Sequence, residues 1–296
     1  MTATKNQDVY ALVTNQILED LDKGIRPWAS DRWTRAGGIM PRRSNGAQYR
    51  GINIILLWMA AERNGFSQSC WLTYKQAQAL GASVRKGEKS TPIVFFKPLE
   101  CDDKRKGHEG EKLSIPMARS YRVFNAEQID GLPADFLATN GVVGDGRSDI
   151  PAEAFFGAVG ANLDHGGQSA FYRPSTDRIQ MPPRPSFVSG DAYAATLAHE
   201  HIHWTGHESR LAREFGLRQT AQYAKEELIA ELGAAFLCAS LGIAPTMRED
   251  HAAYLAHWVA ALREDKRAIV RAASAAQKAS DFLHAAAGVE QQSAAA

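Results

Sequence analysis

Four of the nine histidines in this 296-residue chain fall within nine positions, in the segment HEHIHWTGHES at 199–209. The segment lies inside an apolar-patterned stretch, AYAATLAHEHIHWTG, which Ser189 or Asp191 can open as a helix N-cap. In a helix, residues four apart share a face, so His199 and His203 can reach one ion together. Glu200 stands beside the first of them, where an acid acts on water rather than coordinating the ion. Two ligands do not make a site. A catalytic zinc takes three protein ligands and keeps one position open, so another part of the chain must bring the third donor to this helix.

One metalloprotease pattern continues H-E-x-x-H-x-x-G-x-x-H. Gly206 falls in step with it, but Ser209 occupies the last position and His207 comes two residues early, so that pattern fails. The segment KEELIAELGAAFLC, in a helix expected over roughly 219–241, carries Glu227 and Glu231 one turn apart. It resembles the N-E-x-x-[ST]-D segment of the gluzincins. Matched position by position, the resemblance makes Glu227 the third ligand and Glu231 the carboxylate that orients the first histidine, as a ligand imidazole requires on its far nitrogen. Glu226 stands where that family has Asn and Glu231 where it has Asp, which keeps Glu231 as the alternative ligand. Zinc is the expected ion, although a His, His, Glu set also accepts manganese, cobalt or nickel. His201 points to another side of the helix and is expected at the surface, and His207 reads as a helix-end residue. Ahead of the helix, AFYRPSTDRIQMP alternates like a strand or hairpin, the place for an edge strand that pairs with an extended peptide. Tyr172 in it is a candidate oxyanion stabiliser. The plainer reading is a half-buried strand tyrosine.

Charge divides the chain. Residues 1–135 carry a net +5 and residues 136–296 a net −4, and six arginines but one acid, Asp31, lie between Arg26 and Arg50. Single-stranded nucleic acid is held by cations along its phosphates and rings against its bases. Arg42, Arg43, Arg50, Lys75, Arg85, Lys86 and Lys89 are the candidate phosphate contacts, and Trp28, Trp33, Tyr49 and Tyr74 the candidate stackers, with Trp58 and Trp71 assigned to the core. Three scattered cysteines exclude a disulfide framework or a cysteine zinc cage. The amino terminus lacks the pattern of a signal peptide and no stretch is long enough to span a membrane, so the expected location is cytoplasmic.

The periodicities predict an α+β chain. Val9, Val13, Ile17 and Leu21 mark a first helix stopped by Gly24, and GIRPWASDRWTRAGGIMPRRSNGAQYRG a long loop. INIILLWMAAERNGF reads as a buried helix ending at Gly65, and Thr73 with Gln76 caps the next, which Gly81 stops. TPIVFFKPLE and ARSYRVFNAEQI form outgoing and returning strands. The Gly- and Asp-rich stretch 138–151 is the expected linker between a first domain, 1–137, and a mostly helical second one, 152–296, with a small sheet. AFFGAVGANL reads as a helix, and the alanine-rich tail as a helix from about Met247.

Taken together, these segments resemble the ArdC-type antirestriction proteins of mobile genetic elements. GIRPW, YRGINIILL, WLTYKQAQALGASVRKGEKSTPIVFF and YRVFNAEQIDGL are similar to their N-terminal domain. AFYRPSTDRIQMP, LAHEHIHWTGHESRL and YAKEELIAELGAAFLCASLGI are similar to their zincin-like domain. The resemblance implies a plasmid- or phage-encoded protein that binds single-stranded DNA, carries a metal site and protects entering DNA from host restriction. In one reading the site is a peptidase acting on proteins of the entering strand, such as a restriction complex. In the other the chain is a non-enzymatic shield for single strands, with a structural or vestigial metal. A nuclease is disfavoured, because no acidic two-metal cluster accompanies the motif.

Overall fold

The structure is a computed structural model that describes residues 8–26, 28, 40–102, 112–137, 151–217, 220–244 and 252–289. Trp33 and the expected linker, apart from Pro151, lie outside these residues. Asp8 caps the first helix, α1 (Val9–Leu21), by accepting from the Tyr10 and Ala11 amides. Val13, Ile17 and Leu21 turn inward from it, the stripe that their spacing predicts. After a short strand β1 (Arg42–Arg43) comes α2 (Ile52–Asn64), whose residues are buried almost all round. It ends at Gly65, in the left-handed conformation that glycine adopts without strain. Strand β2 (Cys70–Leu72) leads into α3 (Tyr74–Ala79), opened by a reciprocal capping box between Thr73 and Gln76.

Strands β3 (Ser83–Val84), β4 (Thr91–Asp102), β5 (Lys112–Asn125) and β6 (Ile129–Asp130) and helix α4 (Ala134–Leu137) complete the first half. The main sheet has the order β1-β2-β5-β4, parallel between β1 and β2 and antiparallel elsewhere, and β3 pairs with β6. β4 and β5 form a long two-stranded ribbon running from Thr91 opposite Val123 to Asp102 opposite Lys112.

The second half opens with α5 (Pro151–Val159) and a sheet of β7 (Asn162–His165), β8 (Phe171–Arg173) and β9 (Arg178–Met181) in the order β7-β9-β8. The end of AFFGAVGANL is therefore not helix: Gly160 takes φ +76° and the chain turns into β7. Four helices follow among the described residues: α6 (Gly190–Thr205), capped by Ser189, α7 (Ala221–Leu241), α8 (Ala252–Glu264) and α9 (Ala268–Ala286). The expected single tail helix is two helices, because Asp265 turns its carboxylate onto the Arg267 amide at 2.9 Å and interrupts the ladder.

The chain has two domains in sequence, yet its largest apolar core belongs to both. Val13 and Ile17 of α1 and Ile55 and Trp58 of α2 share one cluster with Leu232 and Phe236 of α7, Trp258 of α8 and Ala276 of α9. Trp28 is also in it, 2% exposed, with its ring 6.1 Å from that of Trp258. A second cluster, with Ile179, Met181, Leu197, Ile202 and Leu237, joins the small sheet to α6, α7 and α9.

At the α6–α7 crossing, Gly233 has no side chain because none fits. A Cβ there would lie 2.8–3.0 Å from three side-chain atoms of the fully buried Ile202. Replacing glycine by alanine within an exposed helix stabilises it by about 1 kcal/mol. Gly233→Ala is instead expected to destabilise the protein by about 1–3 kcal/mol, the range for overpacking, as a lowered midpoint in urea unfolding. An unchanged or raised midpoint contradicts the close crossing.

Candidate metal centre

Helices α6 and α7 cross so that two imidazoles meet one carboxylate. The Nε2 atoms of His199 and His203 lie 3.1 Å apart; His199 Nε2 is 3.5 Å from Glu227 Oε2, and His203 Nε2 is 3.5 Å from Glu227 Oε1. Donor atoms of these three buried residues all fall within 4.8 Å of one another, the only such group among the described residues. A tetrahedral ion with bonds of about 2.0–2.1 Å holds its donors about 3.3–3.4 Å apart. The Nε2–Nε2 distance and the two Nε2–carboxylate distances, one to each oxygen of Glu227, lie near that value, and the residues fit a single divalent cation.

The far ring nitrogens also meet carboxylates. Glu231 approaches His199 Nδ1 at 3.4 Å, which is an ion-pair contact rather than a well-aligned hydrogen bond. Glu226 lies 3.1 Å from His203 Nδ1, and in the metal-binding tautomer that nitrogen carries the proton and donates it. Glu226, which first stood out only as a departure from the gluzincin pattern, is thus the orienting acid for His203. It is held in turn by Arg213, whose Nε and one terminal nitrogen donate to its two oxygens at 3.0 and 2.8 Å. Arg213 also donates to Thr205 Oγ1 at 2.8 Å and to the Ile202 carbonyl at 2.6 Å. Its loop lies close against the end of α6, where a Cβ on Gly206 would come within 2.9 Å of Arg213 and 2.7 Å of Phe215. The rule that each ligand histidine needs a partner could have flagged Glu226. Arg213 sits in an aperiodic loop and gave no comparable signal.

Electrostatics favour a cation. Glu200, Glu226, Glu227 and Glu231 are all buried here, and Arg213 pairs with Glu226. Burying unbalanced charge is costly, and without an ion, protons on the imidazoles meet the demand. Burial alone would depress His203, but Glu226 and Glu227 outweigh it and hold its pKa up at about 10. His199 is likewise raised against the pull of burial, by Glu227 and Glu231. Burial would lift the Glu227 carboxyl, but the two imidazoles hold it far below the usual carboxylate range.

The neighbouring histidine behaves differently. His201 is not at the surface: it is 1% exposed, its Nδ1 lies 2.8 Å from the Leu197 carbonyl and its ring 4.6 Å from that of Phe156. Burial pushes it down to about 4, so it is neutral at pH 7 and belongs to the core. His207 meets Ser209 Oγ at 2.8 Å, beyond the end of α6.

The Tyr172 hydroxyl donates to Asp177 at 2.8 Å and accepts from Arg210 at 3.3 Å. Its one proton therefore goes to Asp177 rather than toward an oxyanion, and the half-buried strand reading describes it. Arg210 bonds Asp177 with both terminal nitrogens, donates from Nε to the Trp204 carbonyl at 2.7 Å and lies 3.8 Å over the Trp204 ring. This clamp ties the β8–β9 hairpin to the end of α6, and β8 lies at the edge of its sheet.

Several of the expected nucleic-acid residues are engaged within the protein. Tyr49 is 5% exposed, with its hydroxyl toward the Trp71 carbonyl, and Trp28 is in the core, so neither offers a ring to a base. Arg43 lies over the Tyr49 ring, Arg42 donates to Ser69, Arg50 pairs with Asp281 of α9, and Arg85 pairs with Glu88. Tyr74, Lys75, Lys86 and Lys89 are exposed.

A model of the N-terminal domain of anti-restriction factor ArdC matches residues 7–124, and one of a zincin-like metallopeptidase matches residues 151–275. The crystal structure of the antirestriction ArdC protein of plasmid R388, in its metal-free form, is 44% identical. It superposes with a TM-score of 0.82, covering 96% of this chain and 99% of that one. The chain belongs to the ArdC antirestriction family. The Mn(II)-bound form of the same R388 protein is similar at 43% identity and a TM-score of 0.80, covering 95% and 98% of the two chains. The uncharacterized protein y4eC of Sinorhizobium fredii is 40% identical over 94% of this chain and 92% of its own length. DNA primase TraC of Escherichia coli is 40% identical over 92% of this chain, which spans only 26% of that much longer protein. Like its ArdC relatives, the chain pairs an antirestriction N-terminal domain with a zincin-like one. No helix among the described residues is long and apolar enough to cross a membrane.

Two outcomes follow for the metal centre. In Glu226→Gln the orienting charge is gone and Arg213 faces an amide, so cobalt affinity, titrated by absorbance, is expected to fall roughly 10- to 100-fold. Unaltered affinity removes Glu226 from the site. Metal uptake must also displace imidazole protons, because His203 binds its proton up to about pH 10. Apparent affinity should therefore weaken as pH falls and strengthen toward pH 10, with acid released on metal addition to a weakly buffered solution. A pH-independent affinity contradicts this.

Proposed function

We propose that this ArdC-family protein protects entering DNA from restriction by binding it as a single strand and hydrolysing peptide bonds at the α6–α7 centre. The substrate on this reading is a protein bound to the strand, such as a host restriction complex. One observation carries the enzymatic part: His199, His203 and Glu227 converge as a three-donor set while Glu200, the next residue on α6, is no member of it. His199, His203 and Glu227 would hold a divalent ion, which would supply a Lewis acid for a peptide carbonyl and for water. Zinc is the preferred ion, and manganese the alternative that the R388 relative supports. Glu200 takes a proton from the attacking water and passes it to the departing amine. Glu226 and Glu231 keep the two imidazoles in register. The edge strand β8, fixed by the Arg210–Asp177 clamp, pairs with an extended peptide through its backbone and so reads little side-chain sequence.

The competing reading, a shield of single strands with a structural metal, predicts a different response to one change. Glu200→Ala is expected to keep stoichiometric metal and oligonucleotide binding while losing protection of a conjugated or transformed plasmid in a restricting host. Full protection by that variant refutes proteolysis as the mechanism and leaves the shield.

A further inference from the structure

We infer that the single strand lies on the outer face of the β4–β5 ribbon, not on the arginine-rich segment 42–50; the inference rests on the DNA-binding part of the proposed function. The segment 42–50 is spoken for, because Tyr49 is buried and Arg50 is paired with Asp281. The ribbon shows the opposite pattern. Pairing of Arg119 with Phe95 and of Tyr121 with Ile93 places Phe95, Met117, Arg119 and Tyr121 on one face. The other face carries Val94, which is in the shared core, and Phe96, 38% exposed, with its ring 6.3 Å from that of Tyr10 on α1.

On the outer face Tyr121 is 40% exposed and Met117 37%, an unusual display of large apolar groups on one ribbon. The Phe95 and Tyr121 rings meet edge to face at 6.0 Å, which fixes both without hiding them. Between Thr91 opposite Val123 and Pro98 opposite Pro116 the ribbon carries no acid; Arg119 stands on the outer face, and Arg122, three residues on, on the other. The residues opposite the two arginines are Phe95 and Pro92, so the ladder supplies no counter-charge across the strands. Exposed rings beside Arg119, on a stretch of ribbon without acids, suit an unpaired strand, whose bases offer π-faces and whose phosphates need charge. A protein partner would not require the acid-free ladder, and duplex DNA offers no unstacked bases to these rings.

The test uses the full chain and a fluorescein-labelled oligothymidylate of about 20 nucleotides, read by anisotropy at several salt concentrations. Tyr121→Ala is expected to weaken binding roughly five- to hundred-fold, the loss of one stacked base. Arg119→Ala should flatten the dependence of log affinity on log salt by about 0.7, the loss of one phosphate contact. Both side chains are exposed, and an unchanged melting temperature establishes that each variant is folded. Arg50→Ala should bind as the wild type does. If the wild type binds and the ribbon variants bind equally well, or if Arg50→Ala alone loses affinity, the ribbon assignment is overturned while the DNA-binding reading stands. If the wild type binds no oligothymidylate, that reading falls and this inference with it. Unchanged oligonucleotide binding together with loss of a protein partner in Tyr121→Ala would mark the face as a protein-docking surface and refute the inference.

Discussion

The close crossing of α6 and α7 is the constraint on which the metal centre depends. Gly233 against Ile202 lets the two backbones approach. That approach puts His199 and His203, one turn apart on α6, opposite Glu227 and Glu231, one turn apart on α7. Matching periodicities on facing helices make each histidine meet a carboxylate on either side, so no loop has to supply a ligand. Loops enter only as restraint. The segment after α6 folds back so that Arg213 holds Glu226 and Arg210 holds the β8–β9 hairpin.

The same crossing sets up an electrostatic demand. Buried carboxylates are tolerated where hydrogen bonds or opposite charge compensate them. Arg213 compensates Glu226, and a cation in the centre, proton or metal, compensates Glu227. Protons and a divalent ion compete for that role, which explains why the imidazoles hold protons so firmly when they have only carboxylates for company. His201 makes the contrast on the same helix. It is as deeply buried, yet its partner is a carbonyl and its surroundings are aromatic, so it stays neutral. Position around the helix, not the crowding of histidines in the sequence, separates ligand from filler.

Spacing made the helices and the metal donors legible. The i, i+4 repeat, the caps at Ser189 and Thr73 and the acid pair in KEELIAELG each express a local rule that the fold keeps. Exposure was not legible, because it is decided by packing between distant segments. Tyr49 and Trp28 have the composition of a binding loop but fill the shared core, whereas Arg119 and Tyr121 looked like ordinary strand residues and stand outside it. His201 was misjudged for the same reason: Phe156, which covers it, comes from α5, more than forty residues away. The interruption at Asp265 was hidden because alanine-rich sequence on both sides favours helix, and a side-chain bond to one amide was enough to break it.

The shared core also bears on how the two halves can work together. Beyond the apolar cluster, Thr14 Oγ1 donates to the Lys266 carbonyl at 2.7 Å, and the Gly51 amide donates to Gln277 at 2.9 Å. Gly51 has φ +56°, and a Cβ there would touch the Ala273 carbonyl at 3.7 Å, so α2 begins directly against α9. A peptidase delivered by a flexible tether samples many targets near a strand. Here α1 and α2 pack into the same core as α7 and α9, so on the proposed reading a strand held on the N-terminal sheet would fix the place and orientation of the metal centre relative to it. Selectivity would then come from geometry, because only a protein seated at that position on the strand could present an extended segment to β8. Backbone pairing at an edge strand reads little sequence, and this architecture would supply the discrimination that the pairing lacks.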